Sequence, residues 1–189
     1  MAGLFIGQKM KDSFKKLKVE CDQFLELSGG YPAVRALKPD GRYVKRVKVR
    51  HKKNTTGFMR VMGDALKDEY EGIDVRSVIT NGPYSTVEGA VSYYIFPKNG
   101  FSFLFNPRVT DHEEYKESYE RLIKLDVSQN DAMAIVEDAI EYAYTSGERT
   151  LKQALQSNKE IIFYGMPYYY AISAEKHPFY EELFYLLQK

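Results

Sequence analysis

The chain has no tryptophan, one cysteine and three histidines among its 189 residues. A single cysteine cannot close an internal disulfide, so Cys21 is expected to be a small apolar core residue in a reducing compartment. His51, His112 and His177 have no second His, Cys or carboxylate at the spacing by which one element holds a metal. No metal and no cofactor are therefore expected. Long apolar runs are missing too. None approaches the roughly 20 residues that cross a bilayer, and Met1 to Gly7 is too short for a secretory core. The expected location is cytoplasmic, without a membrane partner. Gly-x-Ser-x-Gly, the Gly-x-x-x-x-Gly-Lys-Ser/Thr loop and Gly-x-Gly-x-x-Gly are all absent, which disfavours the enzymes built on them.

Sixteen Tyr and eleven Phe supply rings for a core or a stacking surface, and 44% apolar with 28% charged residues is ordinary globular composition. One domain over residues 1–189 is expected. Its charge is unevenly divided. Residues 1–60 carry 15 Lys/Arg against 5 Asp/Glu, and the rest of the chain 12 against 21, which divides the domain into a basic N-terminal part over 1–60 and an acidic helical and hairpin part over 107–189.

Met10, Phe14, Leu17, Cys21, Phe24 and Leu25 recur at helical spacing, predicting one helix from about Gln8 to Leu27 that stops at Ser28-Gly29-Gly30. Gly30 to Gly41 reads as a loop. Tyr43 to Arg50 alternates, with Tyr43, Lys45, Val47 and Val49 on one strand face and Val44, Arg46, Lys48 and Arg50 on the other. A helix with Phe58, Val61, Met62, Ala65, Leu66 and Tyr70 as its stripe follows. Ile73 to Thr80 and Val87 to Phe96 read as strands, the latter joined through Pro97-Lys98-Asn99-Gly100 to Phe101 to Asn106 as a hairpin. Thr110 with Glu113, and Ser128 with Asp131, resemble capping boxes of two helices, and a short helix spans Thr150 to Gln156. A second hairpin joins Glu160 to Phe163 with Tyr168 to Ile172, and Pro178 opens a closing helix. The fold class is α+β: an antiparallel sheet in a strand-helix-strand-strand-strand-helix core, helices packed on it, and a C-terminal helical segment with a hairpin.

The strongest site candidate joins the cationic strand row Arg46, Lys48 and Arg50 to Lys52, Lys53 and a helix start at Asn54-Thr55-Thr56-Gly57. Alternate strand side chains lie roughly 7 Å apart, near the phosphate repeat of a nucleic-acid strand. A helix N-terminus adds unpaired N-H groups and a positive dipole end. Tyr43 and His51 could stack. The expected partner is nucleic acid or a nucleotide phosphate. The competing explanation is an edge strand whose charges block aggregation, with Asn54 or Thr55 as a cap. A second basic group, Lys9, Lys11, Lys15, Lys16 and Lys18, occupies more than one side of the first helix. Tyr168 and Tyr170 share a strand face opposite Tyr169, serving either packing or recognition.

No catalytic residue is assigned, and an enzyme is the less favoured class. Asp111-His112-Glu113-Glu114 suits a helix first turn, and His177 precedes Pro178 at a helix start. Arg50, Tyr84-Ser85-Thr86 and Glu160-Ile-Ile-Phe163 before Gly165 resemble the Arg, Ser-Thr-Ser and Glu-x-Glu pattern of ADP-ribosyltransferases. That resemblance implies NAD held by the Arg and Ser regions and a catalytic role for Glu160, although Asn158 and Val87 depart from the pattern. The leading expectation is a non-enzymatic binding protein for a phosphate-rich partner. The alternatives are a protein interaction module, such as an inhibitor, adaptor or assembly component that could be homo-oligomeric, and the transferase.

Overall fold

A computed structural model describes residues 2–49, 65–66, 78–80, 89–108, 113–141, 143, 150–157 and 159–174. Within these, helices α1 (Ala2–Glu20) and α2 (Asp22–Ser28) precede strands β1 (Ala33–Leu37) and β2 (Val44–Lys48). Strands β3 (Val78–Thr80), β4 (Val91–Pro97) and β5 (Ser102–Phe105) follow, then helices α3 (Glu113–Lys124), α4 (Gln129–Glu141) and α5 (Leu151–Gln156). Strands β6 (Ile161–Tyr164) and β7 (Tyr168–Ser173) complete the described elements. The chain is α+β, with its strands in two antiparallel sheets ordered β1-β4-β7-β2 and β3-β6-β5.

Both expected hairpins are corners between these sheets. The strands stand where the alternation puts them, but β4 pairs with β1 and β7, and β5 pairs with β6. Likewise β6 and β7 belong to different sheets. The chain therefore forms two bent ribbons, β4-β5 and β6-β7, lying antiparallel to each other. At the corner the ribbons touch closely. A Cβ placed on Gly165, whose φ is +81°, would stand 3.4 Å from the Gly100 carbonyl oxygen. Local alternation registers a strand and a turn, but the pairing partner lies in distant sequence.

β1 occupies the segment expected to be a loop. Ala33-Val34-Arg35-Ala36-Leu37 lacks the β-branched richness of a strand, and pairing with β4 over the full length of β1 overrides that weak preference.

The first helical stripe is confirmed: Phe14, Leu17, Cys21, Phe24 and Leu25 are all buried. The single expected helix is nevertheless broken at Cys21. Asn99, from the β4-β5 corner, inserts at the break. Its backbone N-H donates to the Glu20 carbonyl at 2.8 Å, and its carboxamide nitrogen donates to the Val19 carbonyl at 3.2 Å and to Asp22 Oδ1 at 2.5 Å. Its Oδ1 accepts the Gln23 N-H at 3.2 Å, and the Gly100 N-H donates to Gln23 Oε1 at 2.7 Å. One side chain thus serves the end of α1 and the start of α2, the insertion into a helical ladder that produces a kink.

Two cores flank the β3-β6-β5 sheet. On one face Phe103, Phe105, Ile161 and Phe163 join α1, α2, α5 and the other sheet. Phe24 lies at the centre, with ring centroids of Phe96, Phe101 and Phe163 at 5.8, 6.1 and 6.0 Å. On the other face Leu104 and Ile162 pack with Leu66, Tyr115, Val136 and Ile140. This places the expected Leu66 stripe residue in a core at 1% exposure. Helix α4 starts as expected, the Ser128 hydroxyl accepting the Asp131 N-H at 3.2 Å and donating to its carboxylate. The Thr150 start of α5 is a capping box with Gln153.

Candidate polyanion interface on the outer strand

β2 is an edge strand of the four-stranded sheet, held by pairing with β7 from Val44↔Ile172 to Lys48↔Tyr168. Cross-strand partners share a face, so the register sorts the basic run directly. Arg46 and Lys48 lie on the face of Tyr170 and Tyr168, beside Phe96 and α1. Both cations are exposed, as the alternation requires.

Tyr168 stands between cations of β2 and of the β4-β5 corner. The Arg46 guanidinium lies 4.9 Å from its ring centroid and the Lys98 ammonium 5.8 Å, while Lys48 is its cross-strand partner. Its hydroxyl donates to Glu20 Oε2 at 3.0 Å, and the Tyr170 hydroxyl donates to the same oxygen at 2.6 Å. Glu20 is held below its ordinary value chiefly by the Tyr170 hydrogen bond, against the opposing effect of desolvation. The Tyr168 bond and the charges of Arg46 and Lys16 assist. Both tyrosines are correspondingly raised, first by burial and then by Glu20. Lys16 belongs to the second basic group of the sequence. The fold therefore brings Lys16 of the α1 cluster and Arg46 of β2 to one carboxylate, Glu20, which holds a tyrosine bordered by Lys48 and Lys98.

The other described cations of the run, Arg42 and Lys45, have internal partners. Lys45 is buried at 6% exposure, its ammonium donating to the Lys38 carbonyl at 3.1 Å, 3.6 Å from Asp40 and 4.0 Å from the Tyr93 ring centroid. Arg42 pairs with Asp40 at 2.7 Å, and this contact lowers the Asp40 carboxyl. Basic density in sequence thus overstates the free charge of the surface, because alternate residues point opposite ways and one of them finds a ring and two oxygens. Lysine's apolar stem makes such burial tolerable when its head is fully satisfied.

Of the expected site residues, Tyr43, Arg46 and Lys48 are described. Tyr43 is half exposed just before β2, its carbonyl accepting the Ser173 N-H, at the opposite end of the strand from Lys48. Arg50, His51, Lys52, Lys53, Thr55, Thr56 and Gly57 lie outside the described residues, as does Asn54. Sequence reasoning did not pick out Lys98 and Glu20 for this surface. The only local signal was the Lys16 to Glu20 spacing of four, the spacing of a helical ion pair. The tyrosine run divides cleanly: Tyr169 and Tyr170 are buried at 4% and 5%, and Tyr168 alone is partly open.

Glu160 has no solvent-exposed surface. It lies where β6 begins, its carbonyl accepting the Asn106 N-H, and its charge helps raise Tyr115 after burial, the larger cause. Asn106 in turn donates to the Tyr115 hydroxyl at 2.9 Å. Arg50, Ser85 and Thr86, the other parts of the transferase resemblance, lie outside the described residues.

Among the described residues no group of His, Cys, Asp and Glu could hold a metal ion, and no helix is long and apolar enough to cross a membrane. Compared with family models, curated proteins and solved structures, the chain matches none of them.

Proposed function

We propose that this protein binds a phosphate-rich polyanion, a nucleic acid or nucleotide, through the outer face of β2 and the adjoining end of α1. The single observation that carries the reading is the convergence of Arg46, Lys48, Lys98 and Lys16 around Tyr168 and Glu20. One strand, the β4-β5 corner and a helix contribute, so the charge is a surface and not merely a run in the sequence. Contacts would be to phosphates, which makes binding tolerant of base sequence and sensitive to salt. Tyr168 offers a ring already bordered by cations, an arrangement that accepts a base or sugar beside a phosphate. The cytoplasm, where the Cys21 thiol stays reduced, is the proposed location.

Titration of a fluorescent mixed oligonucleotide against salt tests this. Affinity should fall steeply as salt rises, and the Arg46→Glu/Lys48→Glu variant should lose binding. Since a phosphate contact contributes about 0.7 to 0.9 to the logarithmic salt slope, single Ala variants should each reduce the slope by roughly that amount. Salt-independent binding, or an unchanged variant, refutes the proposal.

A second reading, a protein interaction module that could pair with itself, is favoured by one specific feature. Helix α4 carries no Lys or Arg and exposes Ile135 at 51% beside Asp131 and Asp138, a surface complementary in charge to the β2 face. A stable oligomer that ignores oligonucleotides would favour it. The transferase reading draws no comparable support, because the carboxylate it needs is enclosed.

A further inference from the structure

The β4-β5 corner contains the dipeptide Asn99-Gly100 at a partly open position, with Gly100 exposed at φ +84°. Asparagine followed by glycine has a particular chemistry, because no Cβ hinders the glycine nitrogen from reaching the asparagine side chain. We propose that Asn99-Gly100 is a spontaneous modification site whose intact carboxamide locks the α1-α2 break to the sheet corner, and whose hydrolysis releases it permanently. The inference stands independently of the polyanion reading.

The step balances without an oxidant or cofactor. Base removes the Gly100 amide proton, and the nitrogen attacks Asn99 Cγ. The Cγ-Nδ2 bond breaks, ammonia leaves with the proton returned, and a cyclic imide remains. Water adds to either imide carbonyl and opens the ring, giving aspartate or isoaspartate at position 99. One water enters and one ammonia leaves.

In the folded chain both reacting groups are occupied. The Gly100 N-H donates to Gln23 Oε1, and the Asn99 carboxamide is held by Val19, Asp22 and Gln23. The clamp therefore protects the bond that it depends on, and reaction proceeds through local opening. The product cannot close the clamp again. A carboxylate has no proton to donate to the Val19 carbonyl, and it would face Asp22 Oδ1, which the carboxamide nitrogen now approaches at 2.5 Å. An isoaspartate also lengthens the main chain by one carbon at a corner where the Gly100 carbonyl meets Gly165 closely.

Full-length protein is incubated at mildly alkaline pH, and the conversion at position 99 is followed by peptide mapping and mass spectrometry. Gln23→Ala should convert severalfold faster than the wild type, and wild-type conversion should accelerate in urea below the unfolding transition. Asn99→Gln, whose longer side chain forms the corresponding ring slowly, should remain unconverted over the same period. Asn99→Asp, the product, should melt below the wild type. Equal rates for wild type and Gln23→Ala, with no acceleration by urea, would overturn the protective clamp. Wild-type melting by Asn99→Asp would overturn the permanent release.

Discussion

Replacing Tyr170 with Phe keeps the ring and removes one oxygen, which isolates the bond that joins β7 to α1. The Tyr170 hydroxyl is 2.6 Å from Glu20 Oε2. A hydrogen bond to a charged group contributes about 1.5 to 3 kcal/mol net, and the low end applies because Glu20 is partly open to water, which can take the vacated position. A loss of about 1.5 kcal/mol should lower the melting temperature by about 3 to 6 °C in a domain of this size. The assay is urea unfolding followed by far-ultraviolet circular dichroism, since the chain lacks tryptophan. The midpoint should fall at constant slope. The pH dependence has a definite sign. Glu20 is depressed below its ordinary 4.5, with the Tyr170 bond as the largest cause, so its contribution is full above that value. It is lost as pH falls through the lower folded-state value, and the gap between wild type and Tyr170→Phe should narrow there. A cycle with Glu20→Gln should show a coupling of about 1 kcal/mol, the difference between a charged and a neutral bond. Additivity within about 0.3 kcal/mol at neutral pH would refute the argument that this bond carries the effect.

Two further outcomes follow from the core. Phe24→Ala should cost about 3 to 5 kcal/mol, near the upper end, because the ring is fully buried among three others at the meeting of both sheets; urea unfolding showing a loss under about 2 kcal/mol would contradict that placement. Burial pushes the Cys21 thiol up to about 12, and its Sγ donates to the Phe96 carbonyl at 3.4 Å. A thiol reagent at neutral pH should therefore label native protein only as fast as it opens, whereas rapid labelling without denaturant would place Cys21 elsewhere.

How much could be read in advance differs between the helices and the sheets. The stripe Phe14, Leu17, Cys21, Phe24 and Leu25 is legible because a helix repeats every 3.6 residues, and the Ser128 cap because its partner is three residues away. The break within that stripe was hidden, since it depends on Asn99, 76 residues beyond Gln23. The β4 and β5 strands were readable, but their assignment to separate sheets was not. An Asn-Gly turn between alternating runs signals a hairpin whether the chain reverses within one sheet or turns a corner into another. At the candidate site, alternation correctly put Arg46 and Lys48 on one outward row. It could not show that Lys45, equally basic, would be buried over Tyr93.

The sequence by itself determined the α+β class, the core stripes and the sidedness of the β2 charges, because each depends on contacts or periodicities within a few residues. Only the tertiary structure decided which strands pair, where the first helix breaks and which charges stay available. Those outcomes depend on groups far apart in the chain: Glu20 receives Tyr168 and Tyr170 across 148 and 150 residues. No local pattern encodes such a meeting, because the hydrogen bonds and ring contacts involved exist only once both sheets and α1 have packed.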